Sequence, residues 1–215
     1  MGSIRFENLH VNLSLAICPT NMCSTIQHSF RLQVDHATRK VLNLDGVCLC
    51  VIDMRVRFLV WSAAWNKILT CDNLIKRGIY TMTSWCCMCK CNGETADLLL
   101  IHCHVASFLW CWILSAFGIS WVFSGSVADL LFSWWNGLGR HTSDVWNLVP
   151  LCLMWSVWKE SNSRTFEDVS STDIQLRHCF ASSLFEWSKV SGYSTSLTVT
   201  AFIFALSSNS NDVIF

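Results

Sequence analysis

Trp85-Cys86-Cys87-Met88-Cys89-Lys90-Cys91-Asn92-Gly93-Glu94-Thr95 is the stretch on which the reading of this chain turns. Cys86 and Cys89 are separated by two residues, a spacing that lets two thiolates reach one tetrahedral zinc ion at about 2.3 Å each. A second half would come from the segment that carries Leu98, His102, Cys103 and His104. Asn92 and Gly93 make the stretch rich in turns, so a small Cys-rich knuckle is expected between two helical segments. The plainer reading is that these thiols are small buried hydrophobes, as free cysteine often is. Cys18, Cys23, Cys48, Cys50, Cys71, Cys111, Cys152 and Cys179 show that the chain uses cysteine freely elsewhere.

Working outward, Phe58, Trp61, Trp65, Ile68 and Leu69 recur at helical spacing, which predicts a helix over 58–69. A short second helix over Asp72–Arg77 is stopped by Gly78. Downstream, Asp97 can cap a helix through Phe117, with Gly118 just past its end. Ser126 and Asp129 form a start resembling a capping box for a helix to Trp135, which Asn136, Gly137 and Gly139 break. A helix from about Ser143 to Ser161 is expected to be kinked, or started late, by Pro150. Ser171 or Thr172 caps the cleanest amphipathic helix, whose stripe is Leu176, Phe180, Leu184 and Trp187, and Gly192 ends it.

These segments predict a mainly α protein: a helical domain with a Cys-rich, zinc-knuckle-like loop, an irregular N-terminal arm and a loose C-terminal tail. The expected division is 1–50 as the arm, with a short strand at Val47–Ile52; 51–166 as the knuckle-bearing domain; 167–193 as an amphipathic extension; and 194–215 as the tail, loose apart from the apolar patch Phe202–Leu206.

Composition narrows the class. The chain has 215 residues, 52% hydrophobic and only 14% charged, with 13 Cys, 12 Trp and a formal net charge of zero. That excludes a disordered tail and a Lys/Arg-rich polycation. The zero is an average: Arg55, Arg57, Lys67, Lys76, Arg77 and Lys90 precede or enter the knuckle, while Asp and Glu outnumber Lys and Arg after it. These six basic residues are the candidate contacts to nucleic-acid phosphates, with a solvated helix face as the bland alternative. Trp110, Trp112, Trp134, Trp135, Trp155 and Trp158 can stack on bases, but at helical spacing they are read first as core.

Val105–Ala128 carries no Lys, Arg, Asp or Glu. It is long enough to span a bilayer, but its serines and glycines favour a buried helix, a turn and a second apolar segment. The N-terminus makes a poor signal peptide because Glu7 falls in its leading region, and Phe6 stands where a myristoylation signal wants Ser or Thr.

The ordered string Trp61-Ser-Ala-Ala-Trp65, Lys67-Ile-Leu-Thr70, Asp72-Asn-Leu74, Arg77-Gly-Ile79, Trp85-Cys-Cys-Met-Cys89, Glu94-Thr95, Leu99-Leu100, His102-Cys103 and Trp110 is far more specific than Cys-x-x-Cys alone. Leu153-Met-Trp155, Trp158-Lys-Glu160, Asn162, Arg164 and Phe166 continue it. From Phe58 to Phe166 the chain resembles the zinc-binding domain at the C-terminal end of plant non-LTR (LINE-type) retrotransposon reverse transcriptases. The resemblance implies zinc as cofactor, with Cys86, Cys89 and Cys103 as three ligands. The fourth position, four residues after Glu94, is His in that family and Leu98 here, and leucine cannot bind zinc. His102 is the replacement carried forward, with His104, Cys87 and Cys91 as the others.

The resemblance implies a non-catalytic module inside the cell, in nucleus or cytoplasm, that contacts nucleic acid or a reverse transcriptase core and takes no small-molecule substrate. No paired aspartates of a polymerase, phosphate-binding glycine loop or hydrolase elbow occurs in the sequence. Two alternatives stand beside this reading. One is a decayed, metal-free interaction remnant; the other is a membrane-associated protein through residues 105–128.

Overall fold

Helix α1, Met54–Ala64, begins where Asp53 accepts the Arg55 backbone N–H at 2.9 Å. It starts earlier than the apolar spacing implied, because the cap lies ahead of the first aromatic residue. It also ends earlier, since Asn66 turns the chain with φ of +51°. The computed structural model describes residues 52–79, 84–137 and 144–208. The arm 1–50, the expected strand up to Val51, and residues 209–215 lie outside them. After α1 come α2 (Cys71–Lys76), a π-helical turn at Leu98–His102, α3 (His104–Ala116), α4 (Val127–Gly137) and α5 (Asp144–Asn162). A second π-helical turn (Ser163–Glu167), α6 (Asp173–Val190) and α7 (Val199–Ser208) complete the order. Among the described residues there is no strand, only one isolated antiparallel pairing of Trp85 with Gly93.

Helix α5 is the axis on which the others pack: α1, α3 and α6 all lie against it, as do both π-helical turns. Its Val149, Leu151, Cys152, Leu153, Met154 and Val157 are all fully buried, which explains why it reads as apolar all round rather than amphipathic. Pro150 lies inside this helix rather than at its start. A proline there removes the N–H that would bond the carbonyl four residues back, on Trp146. That carbonyl instead accepts the Trp134 indole N–H at 3.3 Å, and the Trp134 and Trp146 rings stack with centroids 3.9 Å apart and planes 9° from parallel. Helix α4 is thereby joined to α5 at the very residue where α5 lacks a bond of its own.

The helix expected over 97–117 is two pieces. The turn Leu98–His102 widens, the backbone extends at Cys103 (ψ 134°), and α3 starts afresh at His104. Asp97 caps no helix of its own; its carboxylate accepts the N–H of Val127 at 2.8 Å, the first residue of α4. Gly118, with φ of +66°, then turns the chain away after α3. The uncharged run is thus broken by a turn, and among the described residues no helix is long and apolar enough to cross a membrane.

Thr172 caps α6 in a full capping box with Gln175, and its buried side includes Ala181 and Phe185 beside Leu176, Phe180 and Leu184. Trp187, placed on the stripe from sequence, is only half-buried. The patch Phe202–Leu206 lies within α7, which packs on α3 and α6 through buried Phe202 and Leu206.

If the Trp134 indole replaces the bond lost at Pro150, the two are coupled. Trp134→Phe should cost roughly 1 kcal/mol less in a Pro150→Ala background, where a backbone N–H returns, than in the wild type. Urea unfolding of the four proteins of the cycle measures this, and equal costs would show that the indole bond does not replace the one lost at Pro150.

Candidate metal centre

The knuckle is built by backbone hydrogen bonds before any metal is considered. Cys86 N–H donates to the Asn92 carbonyl at 2.8 Å and Glu94 N–H to the Ser84 carbonyl at 2.8 Å, closing the loop at its base. Lys90 N–H donates back to the Cys86 carbonyl at 2.8 Å, with Lys90 at φ +56°, so the chain reverses tightly after Cys89. That reversal sets the thiols of Cys86 and Cys89 side by side. Cys103 arrives from the other segment, at the break between the widened turn and α3. A π-helical turn takes up one residue more than an α-helical one and so rotates the chain beyond it.

The sulfurs of Cys86, Cys89 and Cys103 all lie within 4.8 Å of one another. The Cys86 and Cys103 sulfurs are 3.9 Å apart, and both residues are buried. Two thiolates on a tetrahedral zinc with bonds of about 2.3 Å stand about 3.8 Å apart, so this edge fits without rearrangement. The thiol of Cys86 donates to Cys103, which holds Cys103 below the ordinary thiol range against the opposing effect of burial. The backbone N–H groups of Val105 and Ala106, at the start of α3, add to that lowering. Cys86 moves the other way, first because it keeps the shared proton and then because it is buried, though the N–H groups of Cys89 and Met88 oppose the rise. Backbone N–H groups aimed at sulfur favour thiolate, the form a metal needs.

The other sequence candidates are placed elsewhere. His102 is exposed and outside the sulfur group. His104 is also exposed and faces the Asp173 carboxylate at 3.9 Å. Cys87 packs against the Ser161 hydroxyl at 3.3 Å, and burial raises its thiol. The Cys91 thiol donates to the Cys89 carbonyl at 3.0 Å. Leu98 packs on the core. Among the described residues the group therefore holds three ligand atoms, not four.

Two residues that the sequence did not single out as site residues brace the knuckle. Glu94 is buried, and its carboxylate accepts the N–H of Cys71 at 3.2 Å and of Cys87 at 3.3 Å, tying the start of α2 to the cysteine loop. Burial and the Glu94 charge together push the Cys71 thiol up to about 12, so Cys71 stays protonated. Arg164 donates to the Met88 carbonyl at 3.1 Å, to Glu160 at 2.7 Å and to the Ser171 carbonyl at 3.0 Å. Glu160 also accepts the Ser171 N–H at 2.8 Å. The only sequence signal for this clamp is the i,i+4 spacing of an acid and an arginine.

The six basic residues divide. Arg55 pairs with Asp53 at 2.6 Å and Lys76 with Asp72 at 2.7 Å. Lys67 and Arg77 line one pocket together, Lys90 lines a separate groove beside Trp85 and Arg164, and Arg57 is half-buried on α1. Of the tryptophans offered as base-stacking groups, Trp110, Trp134 and Trp158 are buried, while Trp112 and Trp155 are half-buried. The side chain of Trp135 lies outside the described residues.

A protein-family model described as zinc-binding in reverse transcriptase matches residues 25–110, a stretch that contains all three clustered cysteines. No curated protein and no solved structure matches the chain.

The Glu160–Arg164 pair is nearly enclosed, with side chains 6% and 16% exposed. Burial alone would raise the Glu160 pKa, but the hydrogen bonds from Arg164 and Ser171 outweigh it and hold it below the reference 4.5. A carboxylate lowered on folding stabilises the fold above its unfolded value, and that share is lost as the pH falls through the folded one. Glu160→Gln should therefore cost about 2 kcal/mol at pH 7, and the gap to wild type should close as the pH drops below 4.5. A gap that stays constant with pH, in denaturant titrations, would remove the ion pair from the account.

Proposed function

We propose that the chain is a non-catalytic zinc-holding module of reverse-transcriptase descent that contacts nucleic acid. The observation that carries this reading is the convergence of Cys86, Cys89 and Cys103 within the stretch that the family model matches. A zinc ion there would join the knuckle to the start of α3, supplying a crosslink where the backbone supplies none. The ordered residue string from Trp61 onward supports descent from a plant LINE-type element, and with it a place in nucleus or cytoplasm beside nucleic acid or a reverse transcriptase core.

The fourth ligand is the weak point. Structural zinc sites close with four protein ligands, and Leu98 supplies none. In this reading His102 takes the place only if the widened turn at Leu98–His102 rewinds to bring in its imidazole; otherwise water completes the shell. Either way the ion is held less tightly than by a complete set. The basic residues Arg55, Arg57, Lys67, Lys76, Arg77 and Lys90 would contact phosphates as separate groups rather than as one stripe.

A metal-free interaction remnant is the second reading. Leu98 favours it, because leucine offers no ligand atom where a fourth is needed.

Zinc content, measured with a chromophoric chelator in competition, separates these readings. The wild type should hold one zinc per chain weakly, Leu98→His should tighten it by about tenfold or more, and His102→Ala should loosen it if His102 is the fourth ligand. Tight zinc in the wild type would show that the site is not crippled, and zinc in neither the wild type nor Leu98→His would end the knuckle reading.

A further inference from the structure

Away from the cysteines, α1, the turn that succeeds it, the end of α2 and the middle of α5 enclose a pocket of about 220 Å³. Its walls are the rings of Phe58, Trp61, Trp155 and Trp158, with Lys67 and Arg77 also lining it. Four aromatic side chains and two cations around so small a volume do not resemble ordinary core packing.

Two observations say what the pocket wants. Trp158 is 3% exposed, and among the described residues its buried indole N–H, like that of Trp121, meets no acceptor. Trp110 and Trp134, buried to a similar degree, donate theirs to the carbonyls of Leu100 and Trp146. A buried donor left unmet costs free energy that an acceptor brought within its reach would recover. Secondly, Lys67 and Arg77, just past the ends of α1 and α2, are exposed, and among the described residues neither meets a carboxylate, unlike Arg55 and Lys76 within those helices. The Arg77 guanidinium donates to the Lys67 backbone carbonyl at 3.5 Å, which holds the Arg77 side chain beside the turn that carries Lys67.

A ligand that answers all of this is planar, offers ring acceptors at its edge and carries negative charge outside the pocket. We propose that the pocket binds one nucleotide unit, its base against the aromatic walls and its phosphate at Lys67 and Arg77. The proposal rests on the nucleic-acid part of the function proposed for the chain and is independent of zinc. Its two sources share one chemistry: a free nucleoside monophosphate, or a nucleotide within a single strand.

The test uses the full chain and fluorescein-labelled oligo(dT) and oligo(rA) decamers in anisotropy titrations, with AMP and UMP as competitors and a duplex as control. Single strands should bind more tightly than the duplex. Trp61→Ala should weaken them roughly tenfold through lost stacking, and Trp158→Phe about three- to tenfold while leaving an aromatic ring in place. Lys67→Gln with Arg77→Gln, two surface changes that test the site even if Trp158→Phe disturbs folding, should flatten the salt dependence by about 1.4 in log–log slope. Mononucleotides that displace the strand and bind as tightly on their own would identify the free nucleotide as the source; strand binding that they do not displace would identify the polymer. If strands bind but neither tryptophan variant matters, or if an acidic aromatic peptide binds and nucleotides do not, the pocket proposal is wrong while the zinc module stands. If no strand binds while zinc is retained, the nucleic-acid reading falls as well.

Discussion

The contact between the sulfurs of Cys86 and Cys103 joins two parts of the chain that otherwise have separate reasons to exist. The knuckle closes on its own backbone bonds, from Ser84 to Glu94, and α3 with its neighbours closes on apolar burial. They meet where Cys103 leaves the widened turn, and again where Cys87 packs on Ser161 and Arg164 reaches the Met88 carbonyl. The contact also explains where that turn falls: α3 begins at His104 because Cys103 has to face back toward Cys86 rather than continue a helix. Glu94 and Arg164 then hold the knuckle from opposite sides, one bonded to the start of α2 and one beyond the end of α5.

Much of this was legible from residue order. Ser171 or Thr172 announced a helix start, and Ser126 with Asp129 announced another, because a cap is a local device whose donors and acceptors lie within four residues. Cys86-x-x-Cys89 was legible for the same reason. Bonds between segments far apart in sequence could not be read. Asp97 looked like a cap for its own helix, and nothing in its neighbourhood says that its partner is Val127, thirty residues on. Arg164 stood only as one residue of the ordered string, and its bond to the Met88 carbonyl spans 76 residues.

The break at Cys103 was hidden by a different cause. Leu98 to Phe117 is apolar at every phase of a helix, so a one-residue change of register leaves no trace in the pattern. The basic residues failed to form one surface because side-chain pairing is decided by the nearest acid. Asp53 and Asp72 take Arg55 and Lys76, and of the remaining cations Lys67 and Arg77 share one pocket while Lys90 lines another.

Pro150 has a consequence for how the helices find one another. Along a regular helix every interior carbonyl is already occupied, and a neighbour bearing a lone N–H donor has no preferred height at which to dock. On α5 Pro150 denies the Trp146 carbonyl its usual partner, and the indole donor of α4 reaches it. Sliding α4 by a turn would strand both groups in an apolar core and separate the two stacked indoles. A residue usually counted as a defect therefore works as an address: it marks one level on a featureless apolar rod and fixes the register of the helix that packs there.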